Sequence, residues 1–343
     1  MEASELREQP AGTAVGAGAE LVELDPTLIA ARSPWQLFWR RFKDDKLALA
    51  SLVFLVLVIL IAIFAPLVVK ILGAPNPDTP DQHALDPVFA TATGPSSAHW
   101  FGVDQIGRDV FSRVIYGARI SLLVAFSATV IATGFGVVMG LLAGYFRGWI
   151  DTLVSRTVDV LLAIPYLMLA IGLASACSIA IGTGAGGSTS NPGCLGGLIK
   201  PGLTVVIFVI AFTSWTYMAR IIRGQVLSLR EKEFIEAARA QGSSHLRIIF
   251  REILPNLTAP IVVYASILVP QVILYEAALS YLGVGVQPPT ASWGQMISDA
   301  TPTFTTAWWY MLFPGLALLF TVLAFNLVGD AMQDALNPRA RKT

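Results

Sequence analysis

The chain has 343 residues, 55% of them hydrophobic and only 13% charged, and its formal net charge is zero. Soluble domains carry about 25% charged residues, so this composition excludes an ordinary soluble domain, and the zero balance excludes a global basic field for nucleic acid. Two cysteines, Cys177 and Cys194, are too few for a disulfide scaffold.

Residues 1–32 are acidic and rich in Ala and Gly, with no apolar core, which predicts a disordered tail without a signal sequence. Residues 33–46 place Trp35, Phe38, Trp39 and Phe42 at helical spacing among Arg40, Arg41 and Lys43. That pattern fits a short interfacial helix on a membrane surface, or else a basic flank that orients the first span. The apolar run 47–70 exceeds a signal h-region and reaches the roughly 20 residues needed to cross a bilayer. Further spans are predicted at 119–145, 152–177, 202–222, 257–283 and 308–330, giving six in all. Each must be helical, because backbone amides cannot stay unpaired in lipid. The third is the least pure, with Arg156 and Asp159 near its start.

Lys and Arg fix the expected orientation. With the N-terminus in the cytoplasm, the inner segments collect Arg32, Arg40, Arg41, Lys43, Lys46, Arg147, the basic stretch 220–251, Arg339, Arg341 and Lys342. The outer segments keep Lys70, Arg108, Arg113, Arg119 and Lys200, and 284–307 has neither residue type. Both termini are therefore expected in the cytoplasm. The resulting division is tail 1–32, interfacial helix 33–46, first span 47–70 and extracytoplasmic segment 71–118. A transmembrane domain then occupies 119–332, including an inner loop 223–256, and a short tail 333–343 closes the chain.

Within 71–118 the prolines at 75, 77, 80, 87 and 95 preclude a continuous helix. The string HWFGVDQIGRDVFSRVIYGARISL comes next, at 99–122, with turns at Gly102 and Gly107 and a helix start at Asp109. By composition it is an amphipathic linker. Span two carries Ala132, Gly136, Gly140 and Gly144, each four apart, a stripe that lets helices approach closely. The Gly/Ser-rich insert 178–201 is expected outside, where Cys177 and Cys194 can close a disulfide loop; two unpaired thiols are the alternative. No His, Asp or Glu lies in the insert to favour a metal site.

Residues 233–256 read EFIEAARAQGSSHLRIIFREILPN, a polar, basic stretch in the longest inner loop. One helix is expected over 232–240, with Phe234, Ala237 and Ala238 on one side. Gly242 breaks it at positive φ, and Ser243 or Ser244 caps a second helix. Leu246, Ile249, Phe250 and Ile253 form the stripe of that second helix, and Pro255 ends it. Taken alone, this is an ordinary amphipathic loop. Asp159 and Glu276 are carboxylates inside predicted spans, and such groups are functional or buried in the bundle. Pro165 and Pro270 sit inside spans three and five, as kinks at a gate or as tolerated prolines. No Walker A motif, His/Cys cluster or nucleophile elbow occurs, so the chain itself is not expected to hydrolyse anything.

The string 99–122 is similar to the HxFGTDxxGRDxxSRxxYGARxSL signature of peptide- and nickel-type permeases of ABC importers, with Val103 in place of the usual Thr. Glu236-Ala237-Ala238, Gly242 and Leu254-Pro255 resemble the coupling loop of the same family, with Glu252 where Ile is usual. The stretch 326–339 resembles the family's NLLGDxLRDxLDPR ending, with Asn337 for Asp. The resemblance covers about 35–339 and implies an all-α integral membrane protein of the type I ABC importer permease fold with six transmembrane helices. It implies coupling to an ATPase through Glu236, Ala237, Ala238, Gly242, Leu254 and Pro255, and signature roles for Gly102, Asp104, Gly107, Arg108 and Asp109. The implied partners are a second, homologous permease, two ABC ATPases that carry ATP and Mg, an extracytoplasmic peptide-binding protein and membrane lipid. No cofactor is expected on this chain. In the resembling family a carboxylate is common at each position, and the resemblance implies packing or gating roles for Asp159 and Glu276. The other reading is a proton-coupled secondary transporter driven through Asp159 and Glu276.

Overall fold

A computed structural model describes residues 34–178, Ile199 and residues 202–336. The expected tail 1–32, Cys194 and the end of the chain from Asn337 lie outside the described residues. Among the described residues regular structure is helical, apart from the isolated bridge of Val103 to Asp109.

The first helix, α1 (Pro34–Asp44), buries Phe38 and Phe42 and packs on the last helix of the bundle. Asp45 then starts α2 (Lys46–Ile63) by accepting hydrogen bonds from the amides of Leu47 and Ala48, the usual stabilisation of a helix N-terminus. A break at Phe64 leads into α3 (Ala65–Ile71). Helix α4 (Val110–Phe146) is 37 residues long, capped at its start by Asp109 and ended at Arg147, which takes a positive φ of 52°.

The third predicted span is not a single helix. It consists of α5 (Gly148–Ala163) and α6 (Tyr166–Ser178), bent by 94°. The break falls at Ile164-Pro165, because proline offers no amide to continue the ladder and pushes its predecessor into extended backbone. Ile164 has φ −89° and ψ 130°. Helix α7 (Leu203–Leu229) follows, then the short α8 (Glu233–Ala240) and the single turn α9 (His245–Arg247). A π-helical stretch Ile248–Ile253 leads without a gap into α10 (Leu254–Tyr281). Helices α11 (Trp293–Ala300) and α12 (Trp308–Leu336) complete the bundle. Among the described residues five helices are long and apolar enough to cross a membrane, six if the bent pair is one span.

The close approach of α4 and α7 follows directly from the small-residue stripe. A Cβ on Gly136 would lie 2.7 Å from the Met218 side chain, one on Gly140 2.8 Å from Ile222, and one on Gly144 2.7 Å from Val226. Only glycine permits this spacing over three successive turns. The main core joins α1, α2, α4, α7, α10 and α12. A second core at one end holds Tyr145, Ile222, Val226, Ile235, Ile248, Ile253 and Leu257. A third, at the opposite end of α4, gathers Val110, Met296, Ala300, Trp309 and Tyr310.

Candidate functional site

Two constellations sit at opposite ends of α4. At its C-terminal end lies the segment 233–256. Lys232 is the N-cap of α8, and Gly242 turns the chain at φ 78°, as its spacing predicts. The Ser244 hydroxyl then accepts from the Arg247 amide to start the second helix. The knob is seated by its isoleucines: Ile235, Ile248, Ile249 and Ile253 are buried in the second core. Ala238 and Leu254 are half-buried against the same core. Glu236, Ala237, Gly242 and Pro255 are exposed, as are Phe234, Leu246 and Phe250.

Two details differ from the sequence-based expectation. The predicted stripe of the second helix divides, with Ile249 and Ile253 inward and Leu246 and Phe250 outward, so the knob presents apolar groups to solvent. Pro255 does not end the helix. The Leu254 amide bonds to the Ile249 carbonyl, five residues back. This wider π turn moves the hydrogen-bond pattern so that the amide proline lacks is not missed, and Pro255 occupies the first turn of α10. Side chains from the ends of α4 and α7 brace the knob. Tyr145 Oη lies 2.8 Å from His245 Nδ1, and Arg230 Nη1 donates to the Tyr145 carbonyl at 2.7 Å. Burial and the nearby Arg147 both push the Arg230 guanidinium below its ordinary value. No sequence motif announced this bracing.

At the other end, the signature forms a staple. The Asp104 carboxylate accepts from the amides of Ile106 and Arg108 and from Arg108 Nε at 2.6 Å. Asp109 caps α4 through the Ser112 amide and meets His99 Nδ1 at 2.9 Å. Gly102 and Gly107 both take positive φ, at 75° and 84°. Trp309 Nε1 donates to the Val103 carbonyl at 3.1 Å, which ties this loop to α12. Arg113, with no exposed side chain, reaches the Pro77 carbonyl at 3.3 Å, Asp78 at 3.6 Å and Asp104 at 3.9 Å. Nearby, burial pushes the Asp299 carboxyl up, although Gln295 donates to it. On the exposed turn before the staple, the amides of Phe89 and Val88 hold the Asp86 carboxyl below its usual range.

Asp159 and Glu276 have different partners and are not brought together. Asp159 pairs with Arg220 at 2.7 Å on an exposed surface. Glu276 is fully buried, where Ser121, Ser280 and Ser292 converge on its carboxyl and so join α4, α10 and the start of α11. Pro165 lies at the break between α5 and α6, and Pro270 is buried inside α10. Cys177 is buried and disulfide-bonded, whereas Cys194 lies outside the described residues. No group of three His, Cys, Asp or Glu able to hold a metal ion occurs among the described residues.

Residues 136–342 match the family described as "Binding-protein-dependent transport system inner membrane component", and residues 33–87 match the "N-terminal TM domain of oligopeptide transport permease C". The chain is similar to the dipeptide transport system permease protein DppC of Alkalihalophilus pseudofirmus, 41% identical over 311 residues covering 91% of this chain and 92% of the relative. It is also similar to the glutathione transport system permease protein GsiD of Pectobacterium atrosepticum, at 37% identity over 91% of this chain and 93% of that protein. Among solved structures, a chain of the MetNI methionine ABC transporter in an inward facing conformation superposes with a TM-score of 0.51. That match has 20% identity and covers 66% of this chain and 96% of that one, a likeness of fold.

Proposed function

Because the chain belongs to the inner membrane components of binding-protein-dependent transport systems, we propose that it is the permease subunit of an ATP-driven importer of peptides. It is a multi-pass membrane transport protein rather than an enzyme, and it works with ATPase and substrate-binding components. The observation that supports peptides most is similarity over nine tenths of the chain to permeases named for a dipeptide and for glutathione, itself a peptide. In this reading a second, related permease completes the path, and two ATPases bind the inner knobs. The binding protein docks at the stapled end. Both termini face the cytoplasm. The proton-coupled alternative has no support in the geometry, since Asp159 and Glu276 share no partner.

The coupling surface is the exposed side of the knob: Glu236, Ala237, Phe234, Leu246 and Phe250, disposed around Gly242. ATP closing its subunits moves the knobs and reorients the permeases as rigid bodies, which requires that ATP bind one state better than the other. A Cβ at Gly242 would meet nothing within 4 Å, so Gly242→Val acts through its positive φ alone, costing roughly 1–2 kcal/mol locally. The expected outcome in proteoliposomes holding all components is a folded, inserted permease with strongly reduced peptide uptake per ATP hydrolysed. Glu236→Lys should do the same more weakly. Wild-type uptake and hydrolysis in Gly242→Val would remove the coupling role. Absence of ATP-dependent uptake of any peptide by the wild-type assembly would remove the function itself.

Orientation has its own test. Ser97, Thr290 and Ser244 are all exposed. Cysteines placed at the first two should react with an impermeant reagent from outside the cell, and one at Ser244 should not. The reverse pattern would invert the topology.

A further inference from the structure

Four helices wall a recess on the knob's side of the molecule. Trp39 of α1, Leu52 of α2, Val262 of α10, and Val328 and Met332 of α12 line a groove of about 420 Å³. Its lining is aliphatic or aromatic but for Thr258, whose hydroxyl already donates to the Pro255 carbonyl at 2.7 Å. A groove so lined takes hydrocarbon in preference to a polar solute. The chain itself marks its depth. Four successive charged residues, Lys43 to Lys46, all exposed, precede a stretch without a charge from Leu47 to Val69. Charges in series do not enter hydrocarbon, so this point lies at the membrane surface. Leu52 is six residues along α2, about 9 Å below that surface, where acyl chains begin.

The mouth of the groove is cationic. Helix α1 packs on α12 with Phe38 and Phe42 buried, and leaves Arg40 and Lys43 exposed. The Lys43 ammonium stands 6.0 Å from the centre of the Trp39 ring, the same ring that lines the groove. Neither Arg40 nor Lys43 has an ion pair among the described residues. Asp45, the nearest candidate in sequence after Asp44, is engaged by the amides of Leu47 and Ala48. Over this segment Arg40, Arg41, Lys43 and Lys46 face only Asp44 and Asp45, four positive charges against two negative. An apolar slot at acyl depth beneath uncompensated cations is complementary to a molecule with a hydrocarbon chain and an anionic head.

We propose that this groove is a binding site for one anionic phospholipid, with an acyl chain laid between α1, α10 and α12 and the phosphate held by Lys43 and Arg40. A zwitterionic lipid offers the same chains, but its own ammonium group opposes those cations. Thr258 lies three residues after Pro255, so the bound chain packs against the root of the knob. The site is indifferent to which solute the protein carries.

The test uses the full chain in its assembly, delipidated in detergent and titrated with phosphatidylglycerol or with phosphatidylcholine of the same chains. Native mass spectrometry counts the lipids held. Phosphatidylglycerol should bind at the lower concentration, and Arg40→Gln/Lys43→Gln should raise its half-filling concentration about tenfold or more. Val262→Trp, a change at a position 47% exposed, fills the groove and should remove one lipid per copy of this chain with the charges left in place. Equal retention of the two lipids would overturn the proposal, as would phosphatidylglycerol binding indifferent to either variant. A photoreactive maleimide on Val262→Cys in phosphatidylglycerol vesicles identifies the occupant directly. A lipid adduct is expected; a crosslink to residues 1–33 of this chain or to another subunit would assign the groove to protein and reject the lipid site.

Discussion

Gly107→Val is expected to prevent the stapled end from folding. Gly107 sits at φ 84°, and a Cβ there would lie 2.2 Å from the Asp81 carbonyl oxygen and 2.9 Å from its carbon. The Asp81 amide also donates to the Gly107 carbonyl at 3.0 Å, so the two backbones are held together and neither can retreat. Left-handed backbone costs a β-branched residue at least roughly 1–2 kcal/mol, and overpacking adds about 1–3 kcal/mol. That sum is a large part of a total stability of about 5–15 kcal/mol. Gly73→Val is the control. It has a similar φ of 66° but nothing within 4 Å of its Cβ, so it feels the backbone cost without the collision. In detergent, the first variant should be cut by protease within 72–109 and melt far below the second. Equal melting would show that Gly107 carries no steric burden.

The second large effect is expected at Gly140→Leu. Its Cβ would meet the Ala219 carbonyl and the Ile222 Cβ, both at 2.8 Å, in the middle of the α4–α7 contact. Lipid offers little hydrophobic drive for helix association, so close packing of small residues carries much of the attraction. A leucine here forces the helices apart and also loosens Gly136 and Gly144, one turn to either side. Gly134→Leu lies on the same helix with open space around it and should be nearly silent. Thermal aggregation of the two variants, purified side by side, decides the matter. Matching curves would mean that the glycine stripe is incidental.

The sequence made the helices legible because span length and apolarity are set by the bilayer, residue by residue. It also revealed the turn at Gly242 and the start of α4 at Asp109, since backbone handedness and capping depend on local residue type. Pro165 was visible as a proline inside a span, but a 94° break depends on how α6 is held, partly by the Tyr166–Tyr275 stack across to α10. Pro255 misled because the preceding π turn, which absorbs it, has no sequence signal. The split of Leu246, Ile249, Phe250 and Ile253 into two faces depends on the surface beneath the knob, and periodicity alone does not name a neighbour. Likewise, Glu276 and Asp159 looked alike as intramembrane carboxylates. Three serines enclose one of them, and an arginine of another helix holds the other at a surface. Arg113 and Trp309 gain their roles only from segments far along the chain.

The helical run from His245 to Tyr281 is 37 residues without interruption, a bar about 55 Å long at 1.5 Å per residue. Its near end is the second half of the knob, and its far end carries Glu276 in the serine cage. The buried Pro270 divides it into arms of about 38 Å and 17 Å. If the knob is the coupling surface proposed above, a turn of such a bar about that point would work as a reduction gear, returning a swing at the knob to the far end as roughly half the travel in the opposite direction, with roughly twice the force. With no loop in it, such a bar would carry the stroke without slack, so that its two ends would keep time with each other.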